Sequence, residues 1–209
     1  MGVDGDLLKQ YTMATWGYKQ GESVSLMIHL GVRLGLYEAL DGAGPVTAGD
    51  LAAATGLHER WLREWLRSQA AAELMVSDEG ETFELQAEAA MVLARKGTPT
   101  YAGGVFSHLR NPKVADGLAE AFQTGLGLTY DGQGEGSEQH VEAMLAPMAR
   151  ALLVPRVIPA LDGVADRLVA GAKVVDVGCG TGLALELMAA AWPDCTFEGY
   201  DVSERAVSV

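Results

Sequence analysis

The residues whose types and spacing could do chemistry lie late in the chain, at Asp176-Val177-Gly178-Cys179-Gly180-Thr181-Gly182, with Asp201 following 19 residues after the last glycine. Glycines at every second position let a backbone turn sharply and approach a ligand with no Cβ in the way. A helix starting directly behind such a turn has free N–H groups at its first turn, and these can hold an anionic group. A carboxylate brought beside the turn can accept hydrogen bonds from both hydroxyls of a ribose. These are the parts of a nucleotide-type binding site.

Particular elements must position those parts. Val174-Val175-Asp176-Val177 reads as a strand, Leu183 to Trp192 as an amphipathic helix stopped by Pro193, and Thr196 to Tyr200 as a second strand ending on Asp201. Strand, tight turn, helix, strand and acid form the first half of a Rossmann-type unit. A right-handed crossover sets the two strands parallel, with the glycine turn and Asp201 at one carboxyl edge. A dinucleotide fingerprint requires glycine at position 183, which is Leu183; the third glycine comes one residue early, at Gly182. The pattern Asp176-x-Gly178-x-Gly180-x-Gly182 resembles motif I of the class I S-adenosylmethionine-dependent methyltransferases. The resemblance implies S-adenosyl-L-methionine as cofactor, bound by Asp176, Gly178, Cys179, Gly180, Thr181, Gly182, Asp201 and Val202, with Asp176 at the methionine amino end. A glycine-rich turn of another α/β fold and a nicotinamide or flavin site with a variant third glycine are the competing readings.

Composition sets the outer bounds. The 209 residues suffice for one large domain or two small ones, and 49% hydrophobic with 21% charged residues is ordinary for a globular protein. A net charge of −13 argues against a free-standing nucleic-acid binder, because phosphate contacts need a basic surface. It suits a neutral or cationic ligand, and S-adenosylmethionine carries a sulfonium. Cys179 and Cys195 make no disulfide framework, and neither has a partner at metal-ligand spacing, so reduced thiols and no metal are expected. The first residues are acidic, unlike a signal peptide, and His29 and Arg33 interrupt the best apolar run, so no membrane association and a cytoplasmic location are expected.

The N-terminal half has its own organisation. Residues 8–40 carry helical periodicity, clearest from Ser25 to Leu40, where nearly every position is apolar or small. Such a helix is expected to be buried on more than one side, with a subunit interface covering the second, and His29 to be a hydrogen-bonded core histidine. After the turn cluster Asp41-Gly42-Ala43-Gly44-Pro45, Thr47 to Asp50 forms a capping box variant for a helix from Ala48 to Thr55, closed by Gly56. A longer helix is expected from His58 to Leu74, with Trp61, Leu62, Trp65, Leu66 and Ala70 as its apolar stripe. Leu74-Met75-Val76 and Thr82-Phe83-Glu84-Leu85 then read as a hairpin, which completes a winged helix.

A winged helix raises the question of DNA. Arg60, Arg63 and Arg67 fall along one helix face, but Glu59 with Arg63 and Arg60 with Glu64 are i,i+4 partners. Residues 41–95 hold ten acids against four arginines, and the hairpin carries Asp78, Glu79, Glu81 and Glu84, which repel a phosphate backbone. No nucleic-acid partner is expected. The run from His29 to Leu40, with Leu51 to Leu66, looks like the N-terminal winged-helix domain of bacterial small-molecule methyltransferases. In those enzymes the module pairs subunits and helps wall the acceptor site, which implies a homodimer here.

Residues 96–165 read as a helical connector, with helices over Tyr101 to Leu109 and Val114 to Phe122 and one from His140 to Leu153 that Pro147 kinks or breaks. The loop from Thr124 to Gln139, with five glycines and Tyr130-Asp131, is either a lid or a plain linker. Tyr130, Phe106, His108 and His140 are acceptor-side candidates by the resemblance. After Asp201, Ser203 can cap a helix starting at Glu204, close to the last residue, Val209.

The expected fold class is mixed: a helical arm over 1–40, a winged-helix domain over 41–95, a helical connector or lid over 96–165, and the start of a Rossmann-like cofactor domain over 166–209. The class I sheet has seven strands and only two are present, so the sequence reads as the N-terminal portion of a longer enzyme, inactive alone. The expected function is methyl transfer from S-adenosylmethionine to a small organic acceptor, with no catalytic residue assignable. A winged-helix regulator that senses the cofactor, and a non-catalytic dimerisation module, are the alternatives.

Overall fold

The helical pattern near the N-terminus becomes two helices, α1 (Gly5–Arg33) and α2 (Leu36–Leu40), in a computed structural model that describes residues 2–109 and 112–208. The break falls at Gly35, whose φ of 68° is left-handed and open to glycine without steric cost. The side chain of Asp4 opens α1 by accepting from the N–H groups of Asp6 and Leu7. Burial on more than one side is found only toward the end of this stretch, at Ile28, His29, Leu36, Tyr37 and Leu40. The first half of α1 leaves Leu8, Tyr11, Trp16 and Tyr18 exposed, with none of the described residues covering them.

The chain divides into two compact units, Met1–Arg95 and Lys96–Val209. In the first, the core forms where α1 meets α4 (Glu59–Ala71). The Trp65 indole N–H donates to the Met27 carbonyl at 2.9 Å, and the Trp65 ring stands edge-on to Tyr37 with centroids 5.2 Å apart. The buried Tyr37 hydroxyl donates to Oε1 of buried Gln69, so burial leaves neither polar group unpaired. Gly31 makes this packing possible: a Cβ there would lie 2.5 Å from the Tyr37 ring and 2.6 Å from the Trp65 ring.

α3 (Ala48–Thr55) starts on the expected capping box, with Thr47 and Asp50 exchanging side-chain to backbone bonds, and ends at left-handed Gly56. α4 buries Leu62, Trp65, Leu66 and Gln69, an i, i+3, i+4, i+7 stripe. Trp61 does not belong to it: the ring is 70% exposed on the border of the stripe, with the Arg60 guanidinium 5.8 Å from its centroid. β1 (Val76–Asp78) and β2 (Thr82–Glu84) pair antiparallel, Ser77 opposite Phe83. Val46 bridges to Phe83 as well, exchanging both backbone bonds at 2.9 Å, a partner too short to read as a strand in sequence. Arg63 pairs with Glu59 at 2.5 Å, and Arg67 reaches the hairpin at the Gly80 carbonyl and Glu81. α5 (Ala87–Leu93) closes the unit, and Arg95 clamps Asp41 with two bonds of 2.8 and 2.7 Å.

The second unit begins irregularly. The expected helix over Tyr101 to Leu109 shrinks to one 3₁₀ turn, Gly103–Phe106. Gly104 packs against the backbone of α7 (Ser137–Leu152), where a Cβ would stand 2.0 Å from the Ala143 carbonyl oxygen. That carbonyl is four residues before Pro147, which has no N–H to give it. α7 runs through Pro147, and only after Leu152 does the backbone widen into a π turn, Leu153–Val157. α6 (Pro112–Thr124) precedes α7, and a 3₁₀ turn, Ile158–Ala160, and α8 (Val164–Val169) follow it.

β3 (Lys173–Val177), α9 (Leu183–Ala191) and β4 (Thr196–Tyr200) then form the expected βαβ unit. The strands are parallel, in register from Lys173 opposite Thr196 to Val177 opposite Tyr200. Buried Ile158, Leu168, Met188 and Cys195 make the core beneath them, joined by Val174, Trp192 and Phe197. Among the described residues, no helix is long and apolar enough to cross a membrane.

Candidate functional site

The site is built where β3 runs out. Parallel pairing carries Val177 and Tyr200 to the same edge, and the Tyr200 carbonyl accepts from the N–H groups of Gly178 (2.7 Å) and Cys179 (3.2 Å). The chain then turns through three left-handed glycines, Gly178 (φ 86°), Gly180 (φ 56°) and Gly182 (φ 87°), the last being the residue before α9. A Cβ at any of the three would meet no atom within 4 Å, so the space beside the turn is open. The glycines serve backbone conformation and leave room for a ligand.

Asp201, directly after β4, is joined to that turn. Its Oδ2 accepts from the Gly180 N–H at 2.8 Å and its Oδ1 from the Ser203 N–H at 2.8 Å. The Ser203 and Gly180 bonds hold the Asp201 carboxyl below the usual aspartate range. Each oxygen keeps a lone pair for a further donor. The flanking strands are parallel, and the carboxylate and the glycine turn share one rim.

A cavity of about 320 Å³ opens on this rim. One side is Asp176, Gly178, Cys179, Gly180, Thr181, Leu183, Ala184 and Asp201; the other is Tyr130 and one stripe of α7, namely Glu138, Val141, Glu142, Leu145 and Ala149. Of the eight residues singled out by sequence as cofactor-binding, six line the cavity. Gly182 is the cap of α9, and Val202, with 93% of its surface exposed, is not part of the lining. Tyr130 is on the cavity wall, whereas Phe106, His108 and His140 are not part of its lining; Ser107 Oγ lies 3.1 Å from His140 Nδ1, and the two imidazoles stand 5.9 Å apart.

Among the described residues that line the cavity, the charged ones have one sign. They are Glu138, Glu142, Asp176 and Asp201, so a cationic group is favoured inside. A hydrogen bond at its own backbone N–H, one from Ser137 and the nearby Arg205 charge keep Glu138 below the usual glutamate range. Burial, then the Asp201, Glu138 and Asp131 charges, raise the Tyr130 phenol, which therefore remains a proton donor at neutral pH. Burial and the charges of Asp176 and Asp201 raise the Cys179 thiol in the same way, which makes it a poor nucleophile.

Sequence reasoning missed three contributors. Gly199 lies under the turn, where a Cβ would come 2.8 Å from Cys179 Sγ and from Leu185 Cδ1. Its only sequence signal is a glycine inside a strand, a mark of close approach. Glu138 and Glu142 share the α7 face that reaches the cavity, and their i,i+4 spacing was visible without showing what the face would meet.

Comparison with known proteins follows the same division. Residues 22–95 match the model of the Rv2258c-like winged HTH domain. No curated protein matches the chain. Among solved structures, the mitomycin 7-O-methyltransferase MmcR is similar at a TM-score of 0.66 and 22% identity, over 98% of this chain and 62% of that one. Human N-acetylserotonin methyltransferase, solved in complex with SAM, gives 0.64 and 18% over 100% of this chain and 63% of the other. CalO1, a methyltransferase in calicheamicin biosynthesis solved with SAH bound, gives 0.57 and 22% over 99% and 62%. The fold is that of a winged-helix unit and a helical unit carrying one βαβ, similar to the fold of these methyltransferase structures. The chain spans less than two thirds of the length of each of these three structures.

Proposed function

We propose that this chain carries the donor-binding part of an S-adenosylmethionine-dependent methyltransferase that acts on a small organic acceptor. One observation carries the reading: the Asp201 carboxylate and the Gly178–Gly182 turn are hydrogen-bonded into one rim at the end of two parallel strands. Two of the similar proteins, the human N-acetylserotonin enzyme and CalO1, were solved with SAM or SAH bound, which supports the choice of ligand. The residues present fit it, since the turn leaves open space and the cavity is acidic with apolar patches at Val141, Leu145 and Leu183.

When bound, S-adenosylmethionine supplies an electrophilic methyl group on a sulfonium. Asp201 would accept from the ribose hydroxyls with the lone pairs left free by Gly180 and Ser203. Asp176 would hold the amino end, and the N–H groups at the start of α9 would hold the carboxylate. Glu138, Glu142 and Asp176 give the cavity a negative potential that favours the cationic donor over its neutral thioether product. The protein's work is positioning and exclusion of water. Within this reading the enzyme works in the cytoplasm, in keeping with free thiols at Cys179 and Cys195, and as a homodimer paired through the N-terminal helices, with their exposed Tyr11, Trp16 and Tyr18, and the winged-helix unit.

Titration calorimetry of S-adenosylhomocysteine with the full-length protein and with Asp201→Ala tests the assignment. A loss of about tenfold or more is expected, as for removal of a charge-assisted acceptor. Equal affinity in both proteins would remove Asp201 from the site and the reading with it.

A further inference from the structure

Beyond the glycine turn, the segment after Asp201 is bonded to a distant part of the chain. Ser203, only 1% exposed, donates from its hydroxyl to Asp131 Oδ1, while its own N–H holds Asp201 Oδ1. Arg205 donates from Nη2 to the carbonyls of Asp131 (2.7 Å) and Gly134 (3.2 Å). Its Nε is buried without a hydrogen-bond partner, 3.7 Å from Asp131 Oδ1 and 4.0 Å from Glu138 Oε1. The loop so held, residues 125–136, is glycine-rich and has no long helix or strand of its own, only a 3₁₀ turn at Asp131–Gln133. It carries Tyr130 onto the cavity wall.

We infer that Ser203 and Arg205 are a latch: they fasten the Tyr130 loop against the same rim on which Asp201 would hold the ribose, and so govern how tightly the donor is retained. The inference rests on the donor-site reading above and adds residues that do not touch the cavity. A continuous path connects the two functions, from the Gly180 N–H through Asp201 and Ser203 to Asp131, one residue from Tyr130. A glycine-rich loop has many open conformations, so closing it by local contacts alone is entropically unfavourable. Two carbonyl acceptors on one guanidinium offset that cost better than a surface ion pair would, because the bonds fix backbone positions. On this inference residues 125–136 serve as a lid rather than a plain linker.

The test uses the full chain, first without ligand. Amide hydrogen exchange over residues 125–136 is expected to quicken by about tenfold or more in Arg205→Met, and less in Ser203→Ala, with β3 and β4 unchanged. Unchanged loop exchange in both variants overturns the latch. Should Arg205→Met also quicken exchange in β3 and β4, Ser203→Ala alone decides: a change confined to the loop supports the latch, and no change overturns it. S-adenosylhomocysteine affinity is then measured in Arg205→Met, Tyr130→Ala and the double variant. Because Arg205 acts through the loop, its loss of about tenfold is expected to vanish in the Tyr130→Ala background. Additive losses overturn the latch, since a merely structural effect does not depend on Tyr130. A wild-type protein that binds none of the nucleoside overturns the donor reading, while exchange still decides the latch.

Discussion

At the scale of single residues, Asp201 does the most. Its carboxylate joins the turn at Gly180 to the segment at Ser203, and those two N–H bonds are what lower its pKa. A carboxyl held below its ordinary value of about 3.9 contributes stability that is complete above that value and is lost as pH falls through the lower native one. Wild type is therefore expected to unfold at a higher temperature than Asp201→Asn at neutral pH, with the gap closing as pH drops below about 3.9. Thermal melts from pH 7 to pH 2.5 check this, and a gap that stays constant through acid refutes it. Cys179 and Tyr130 shift the other way, because burial first, and then the neighbouring negative charges, disfavour their ionised forms. The same negative field that disfavours their ionisation favours a sulfonium.

At the scale of elements, two glycines decide how closely helices and strands approach. Gly31 lets α1 settle on Tyr37 and Trp65, and Gly199 lets β4 pass beneath the turn at Cys179. Gly31→Ala is expected to destabilise the first unit by about 1–3 kcal/mol, since both neighbouring rings are buried and cannot rotate away. Urea titration followed by tryptophan fluorescence measures it, and an unchanged midpoint would show that the rings yield. The winged helix is the element whose usual role is least supported. Arg67 bonds to the hairpin and Arg63 to Glu59, so two of the three arginines on that face have partners within the unit, while Arg60 lies by the exposed Trp61 ring. The acidic hairpin next to it opposes DNA for the electrostatic reason already visible in the composition.

At the scale of the whole molecule, the first half of α1 is unexplained by the chain alone. A helix this long keeps Leu8, Tyr11, Trp16 and Tyr18 in water, although its C-terminal part is buried. An isolated helical arm of this kind is marginal without tertiary packing, and in the proposed reading a second copy would supply it by symmetry. Light scattering is expected to give a dimer mass for wild type and a shift toward monomer for Trp16→Glu. A monomer mass for both would leave α1 without that role. The net charge of −13 spreads repulsion over the surface, so any such pairing should tighten with added salt.

What the sequence determined by itself was local. Strand, glycine turn, helix and strand from Val174 to Tyr200 followed from short apolar runs and glycine spacing, and the helix from Ala48 to Thr55 from its capping box, because each signal lies within a few bonded residues. Helix ends near Leu74, the exposure of Trp61, and the collapse of the expected helix at Tyr101 to one turn were not legible, since they depend on what packs against them. The site divides along the same line. Asp176, the glycines and Asp201 sit in one βαβ unit and could be named from spacing. The α7 acids, the Tyr130 loop and its fastening by Ser203 and Arg205 join residues some seventy positions apart, and only folding brings those charges and donors within reach of each other.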